Sequence, residues 1–135
     1  MALKVGVKQL VAAANAKIRT LSVDEAKALL GKSEVQFIDI RDPRELERDG
    51  VIPGAFHAPR GMLEFWVDPE SPYYKPLFGE DRSFVLFCAG GLRSALSTAT
   101  LQEMGLPKVC HIAGGFGAWK QGGGEIVPYQ PRSKG

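Results

Sequence analysis

The stretch Phe84-Val-Leu-Phe-Cys88-Ala-Gly-Gly-Leu-Arg93-Ser94 restricts the fold more than any other part of the chain. Four uninterrupted apolar residues, Phe84 to Phe87, read as a buried strand. Cys88 stands where that strand should end. Gly90 and Gly91 follow at once and admit backbone torsions closed to other residues. From Leu92 the apolar positions Leu92, Ala95, Leu96 and Ala99 fall at helical spacing, and Gly105 supplies a stop. The unit is strand, tight loop, helix, with a thiol at the loop's mouth.

The rest of the chain alternates in the same way. Leu3, Val7, Leu10, Val11, Ala14 and Ile18 share one helical face, which predicts an N-terminal amphipathic helix within residues 1–19. Thr20-Leu21 begins a short strand. Ser22 and Glu25 form a capping box for a helix from Val23 to Leu30. Val35 to Ile40 is a strand rich in branched residues. Asp42-Pro43-Arg-Glu45 starts a second helix, with Gly50 as its stop, and Ile52-Pro53-Gly54 turns the chain into a strand at Ala55 to His57. From Pro59 to Gly79, prolines break any long element, while Phe65, Trp66, Tyr73, Tyr74 and Phe78 supply either a wall beside a cleft or a wrap that closes the core. Val109 to Ile112 is a further strand, Gly114 to Gln121 a short helix, and residues 128–135 a loose polar tail. Strands alternating with helices predict an α/β fold: a small doubly wound sheet of parallel strands covered on both faces, occupying residues 20–127. Ligands bind such sheets beyond the carboxyl ends of the strands, where Cys88, Asp39 to Asp42 and His57 to Arg60 would meet.

That edge carries chemistry. The first turn of a helix has unpaired N–H groups and the positive end of the peptide dipole, so it attracts anions and favours the thiolate of a cysteine held there. Arg93, five positions after Cys88, adds a fixed cation that can brace the loop or bind an anion. The N–H groups of Ala89, Gly90, Gly91 and Leu92 would complete a cradle.

Composition removes several alternatives. A chain of 135 residues suits one domain, and a net charge of +2 with no basic stripe does not point to nucleic acid. No apolar run approaches the length that spans a bilayer. The first 23 residues lack Asp and Glu, as a transit peptide would, but Ser22 is their one serine, so a packed or partner-binding helix is the preferred reading. The two cysteines form no disulfide framework, and a reducing, cytoplasmic setting follows as the simpler assumption. Cys110, inside an apolar strand, reads as a buried spectator. His57 and His111 read as hydrogen-bonded strand histidines, since no spacing brings either to Cys88, and no ligand cluster suggests a metal.

Cys88-Ala-Gly-Gly-Leu-Arg93 resembles the C-x-x-G-x-R active loop of rhodanese-like sulfurtransferases. Phe37-Ile-Asp39-Ile-Arg41-Asp42-Pro43, Val51-Ile-Pro53-Gly54-Ala55 and Gly114-Gly115-Phe-Gly-Ala118-Trp119 resemble further motifs of that family in the expected order, although Asp49-Gly50 replaces the usual Gly-His before the second of them. The resemblance implies five parallel strands, Cys88 as nucleophile, and sulfur carried as a persulfide from a donor such as thiosulfate to cyanide or a thiol, with no metal or organic cofactor. Ala89, Gly90, Gly91, Leu92 and Arg93 are the candidates to hold substrate; Arg60, after a predicted strand end, is a further candidate to guide anions, and Asp39, Arg41 and Ser94 are candidates to support the loop. Two alternatives stay open. A phosphatase or arsenate reductase also uses a cysteine in an anion loop, but with five residues before the arginine where four stand here. A sulfur carrier or docking module would pass sulfur to a protein acceptor.

Overall fold

The computed structural model describes residues 2–131, so Met1 and the last four residues of the expected tail lie outside the described residues. Five strands, β1 (Arg19–Leu21), β2 (Val35–Asp39), β3 (Phe56–His57), β4 (Ser83–Phe87) and β5 (Val109–Ile112), make one all-parallel sheet in the order β1-β5-β4-β2-β3. Among the described residues six α-helices flank it: α1 (Val7–Lys17), α2 (Val23–Leu29), α3 (Pro43–Asp49), α4 (Leu63–Val67), α5 (Leu92–Met104) and α6 (Gly115–Gln121). This is the doubly wound α/β sheet expected from the alternating pattern.

The alternation of side chains along each strand divides the core in two. Phe84, Leu86, Ile38 and Val109 point to the face covered by α4 and α5, where Leu63, Val67 and Leu101 join them. Phe37, Val85, Phe87, Cys110 and Ile112 point the other way, to Ala26 of α2 and to Phe116 and Trp119 of α6. Trp119 is fully buried, meets Phe37 edge to face at 5.9 Å and donates its indole N–H to the Glu125 carbonyl at 2.9 Å.

Local signals explain where the helices start and stop. Ser22 Oγ accepts from the Glu25 amide while the Glu25 carboxylate accepts from the Ser22 amide, at 3.1 and 2.8 Å. Asp42 caps α3 in the same manner, with Pro43 at the first helical position. Gly105 closes α5 in the left-handed region.

Two regions differ in detail from the sequence pattern. Only Ala14 of the expected apolar face of α1 is buried, and Val11 and Ile18 are half-buried. Leu3, Val7 and Leu10 remain exposed, because α1 lies on α5 rather than on the sheet. The proline-punctuated segment folds as a 3-10 turn at Arg60–Met62, α4, and a second 3-10 turn at Pro76–Gly79. Its aromatics extend the core outward, Phe78 packing on Phe84 and Phe56, and Trp66 on Phe56. Trp66 and Lys75 also wall a cleft of about 500 Å³ with His57 and Tyr129, and Cys88 does not line it. The aromatics of the segment therefore help close the core, while its Arg60 lies at the strand ends, its amide donating to the Ile40 carbonyl at 3.2 Å.

Candidate active site

The sheet order places the site. After β2 the chain adds β3 on one side and then crosses to add β4 on the other, so the strand order reverses between β2 and β4. A crevice opens beyond the carboxyl ends at such a reversal. β4 delivers Cys88 there and β2 delivers Asp39 and Arg41, with the Ile40 amide donating to the Phe87 carbonyl at 3.1 Å to hold the two strand ends together.

Cys88 is only 1% exposed, deeper than the loop mouth that the sequence suggested. Its sulfur turns inward under the loop toward the first turn of α5. There the Gly91 amide donates to Sγ at 3.1 Å and the Ser94 amide at 3.4 Å, and the Ser94 hydroxyl lies 3.5 Å away. The amides of Gly91 and Ser94 are thus the ones that reach the sulfur. Ala89 and Gly90 form the exposed rim, and Leu92, 61% exposed, opens the first turn of α5 with Arg93, where amides have no intrahelical acceptor.

Glycine makes the approach. Gly91 sits at φ +96°, and a Cβ there would press on the Gly114 nitrogen at 3.2 Å. Gly115, at φ +60°, lies directly under the loop, and a Cβ would collide with the carbonyl of Cys88. That closeness lets the amides of Phe116 and Gly117 donate to the carbonyls of Cys88 and Ala89 at 2.7 and 3.0 Å. The start of α6 clamps the loop from below.

Asp39 and Arg41 form a buried floor, each 1% exposed. Asp39 Oδ1 accepts from Arg41 N and Nε at 3.1 and 2.9 Å, and Oδ2 accepts from Nη2 at 2.7 Å. Nη2 also donates to the Gly50 carbonyl, while Nη1 finds no acceptor among the described residues. The guanidinium lies 4.0 Å from the ring centre of Phe116, the residue whose amide holds the Cys88 carbonyl.

Arg93 is placed differently from a substrate ligand. Both arms of its guanidinium donate to Glu45 of α3, Nη1 to Oε2 at 3.0 Å and Nη2 to Oε1 at 2.9 Å, which ties the first turns of α5 and α3 together. The Arg93 guanidinium holds the Glu45 carboxyl below the usual carboxylate range, and Glu45 in turn raises the arginine. Of the two roles open in the sequence, the structure favours bracing. Arg60 stands on the same rim but pairs with Glu64 at 2.6 Å, and among the described residues no hydrogen bond links it to the Cys88 loop.

His111 is the hydrogen-bonded strand histidine that the sequence suggested, but its link to the residue beside the sulfur was not foreseen. In β5 it pairs with Leu86, two residues before Cys88, so the alternation of side chains puts it on the same face as the sulfur. Its Nδ1 lies 2.9 Å from Ser94 Oγ, and its Nε2 lies 3.2 Å from both Thr20 Oγ1 and Asn15 Oδ1. Knowledge of the strand register would have found it; linear spacing could not. His57 instead places Nε2 2.6 Å from the Arg41 carbonyl. Cys110 is a buried thiol whose pKa burial pushes up to about 11, as expected of a spectator.

Comparison with known proteins matches the family model of the rhodanese-like domain over residues 22–122. Thiosulfate:glutathione sulfurtransferase of Homo sapiens is 29% identical over 106 residues, covering 74% of this chain and 91% of that protein. A solved structure from Rhodopseudomonas palustris CGA009, a protein of unknown function described as a possible tyrosine phosphatase, is 56% identical with a TM-score of 0.91, over 94% of this chain and 98% of that one. Thiosulfate sulfurtransferase of Pseudomonas aeruginosa superposes with a TM-score of 0.73 at 26% identity, over 93% of this chain and 23% of that one.

Proposed function

The chain belongs to the rhodanese-like domain family, and from that premise we propose that it is a sulfurtransferase working through a persulfide on Cys88. The observation that carries the reading is the pair of amides, Gly91 N and Ser94 N, aimed at Sγ from the turn that opens α5. Main-chain donors at a helix start stabilise negative charge on sulfur without needing to reorganise.

In the first half-reaction the Cys88 thiolate attacks the outer sulfur of a small anionic donor such as thiosulfate. A new sulfur–sulfur bond forms, the donor's sulfur–sulfur bond breaks, and sulfite leaves with the bonding pair. In the second, cyanide or a thiolate attacks the outer sulfur of the persulfide and the Cys88 thiolate is released. Gly91 and Ser94 hold the inner sulfur throughout. The amides of Ala89, Gly90, Leu92 and Arg93 are the donors available to the outer sulfur, and each well-aimed one lowers the barrier by about 3 kcal/mol. Entry to so buried a sulfur requires the exposed rim at Ala89, Gly90 and Leu92 to give way, which two glycines permit. Asp39 with Arg41 and Arg93 with Glu45 keep the loop in shape, and Arg60 contributes positive charge at the rim. The sulfur in transit rides on Cys88 itself, and the chemistry calls for a reducing compartment, for which the reading takes the cytoplasm. The exposed Leu3, Val7 and Leu10 of the N-terminal segment leave room for a protein as acceptor.

A phosphatase is the second reading, favoured by the description attached to the Rhodopseudomonas structure. Against it, four residues rather than five separate Cys88 from Arg93, and that arginine would have to leave Glu45 to meet a phosphate. Intact mass after incubation with thiosulfate decides. Gain of one sulfur atom, discharged by cyanide and absent in Cys88→Ala, is expected. An unchanged mass together with brisk hydrolysis of an aryl phosphate would transfer the assignment to the phosphatase.

A further inference from the structure

The Cys88 sulfur is the first member of a hydrogen-bonded line that runs through the domain to its N-terminal helix. Ser94 Oγ lies 3.5 Å from Sγ, His111 Nδ1 lies 2.9 Å from Ser94 Oγ, and His111 Nε2 lies 3.2 Å from Asn15 Oδ1. Ser94 is fully buried and His111 is 2% exposed, so no bulk water interrupts the line between Cys88 and the ring, while Asn15 and Thr20 at its far end are exposed. An amide oxygen only accepts, so with Asn15 Oδ1 toward the ring, Nε2 carries the ring proton. Nδ1 then presents its lone pair to the Ser94 hydroxyl, and the Ser94 oxygen is free to accept from the thiol. Nε2–H then has two acceptors in reach, Asn15 Oδ1 and Thr20 Oγ1, and the line is polarised from sulfur to imidazole.

We propose that His111 is a positioning residue for the Cys88 nucleophile: acting through Ser94, it takes up the thiol proton, with Asn15 selecting the competent tautomer. The S–H bond breaks as its proton passes to Ser94 Oγ, and the Ser94 proton passes to Nδ1. Cys88 gains one negative charge and His111 one positive, with no change in oxidation state. Afterwards the Ser94 hydroxyl donates to the thiolate, the imidazolium Nδ1–H donates to Ser94 Oγ, and Nε2–H still donates to Asn15. Sulfur, hydroxyl and imidazole are arranged as in other nucleophile–base pairs, with one hydroxyl interposed.

The groups facing the ring are Ser94 from α5, Thr20 from β1, Asn15 from α1 and Leu86 from β4, all uncharged. Arg19, the next residue back in β1, pairs in register with Cys110, and its charge acts on that thiol. Burial pushes the imidazolium of His111 below its usual value, so the ring is neutral at pH 7 and the charge of the Cys88 thiolate has to offset the cost of protonating it. Asn15 belongs to α1, which precedes the segment matched to the family at residues 22–122, so the N-terminal helix becomes part of the site's machinery rather than an appendage.

The inference rests on Cys88 being the nucleophile, and its test is independent of sulfur transfer. Iodoacetamide alkylation of Cys88, followed by peptide mass, reports thiolate availability as a function of pH. His111→Asn offers the Ser94 hydroxyl a polar partner but cannot take a proton. Its alkylation should be about tenfold slower near pH 6.5 and equal to the unsubstituted protein on the alkaline plateau, as expected when one of two coupled groups ceases to titrate. Superposable profiles would overturn the proposal, and so would an equal fractional loss at every pH, which marks a structural effect. Should the variant fail to fold, nitrogen NMR of the His111 ring in the unsubstituted chain gives the answer. A neutral ring protonated on Nε2, with a titration midpoint that moves when Cys88 is alkylated, supports the relay; protonation on Nδ1 or an unmoved midpoint sinks it. Loss of persulfide formation with this signature intact would count against sulfur transfer alone.

Discussion

Replacing Asp39 by Asn removes one negative charge from a place where water scarcely reaches. Asp39 accepts three hydrogen bonds, two on Oδ1 from Arg41 N and Nε and one on Oδ2 from Nη2. Asn can keep the two on its oxygen. Its –NH₂ group then faces Nη2 donor to donor, and Arg41 keeps the neutral amide oxygen, the Gly50 carbonyl and the Phe116 ring but no opposing charge, Nη1 having no acceptor already among the described residues. Breaking a buried pair from one side costs about 3–5 kcal/mol, because the remaining charge stays desolvated. The loss is a large share of the roughly 5–15 kcal/mol that holds a domain together.

At about 2–4 °C per kcal/mol for a domain of this size, Tm should fall by roughly 10 °C. Denaturant unfolding should show a lower midpoint at unchanged m, since the surface exposed on unfolding is the same. A companion double variant, Asp39→Leu with Arg41→Met, removes both charges and should recover most of the loss. A loss below about 1 kcal/mol for Asp39→Asn, or a double variant no more stable than the single, would refute the claim that an uncompensated buried charge is the cause.

Glu45→Gln tests the brace between α3 and α5. Because the folded pKa of Glu45 is depressed by Arg93, the pairing stabilises above the ordinary value of 4.5 and is lost as pH falls through the folded value. The stability difference between the unsubstituted protein and Glu45→Gln, measured by urea melts, should therefore shrink from neutral pH toward about pH 3. Gly115→Ala puts a Cβ against the Cys88 carbonyl in a left-handed conformation, and should cost about 1–3 kcal/mol and slow Cys88 alkylation by displacing the loop. Cys110→Ala should leave persulfide formation unchanged and cost about 1 kcal/mol in a thermal melt, while Cys110 itself should resist alkylation in the folded protein.

Much of the fold is legible in the residues because its determinants are local. The run Phe84 to Phe87, the capping boxes at Ser22 and Asp42 and the stop at Gly105 each act within a few positions, and each holds in three dimensions. Gly91 of the Cys88 loop is legible for the same reason, since the residue before α5 lies in the left-handed region at φ +96°. Less could be read where partners are remote. Arg93 has its spacing from Cys88 written in the chain, but Glu45, which occupies both of its arms, is 48 positions away and looks locally like a helix cap alone. The aromatic segment at 59–79 gives no hint of the direction in which it packs, and its place on the core is set by Phe78 meeting Phe84 at 5.5 Å.

The order of residues by itself determined an alternating α/β chain and a thiol at the end of its central strand, because strand, turn and cap preferences are settled by near neighbours. The tertiary structure alone decided what surrounds that thiol. Parallel pairing of β4 with β5 sets His111 on the sulfur's side, the packing of α5 inserts Ser94 between them, and α1 brings Asn15 from far upstream. These contacts follow from sheet register and helix docking, which depend on how distant surfaces fit together and leave no periodic trace in the sequence.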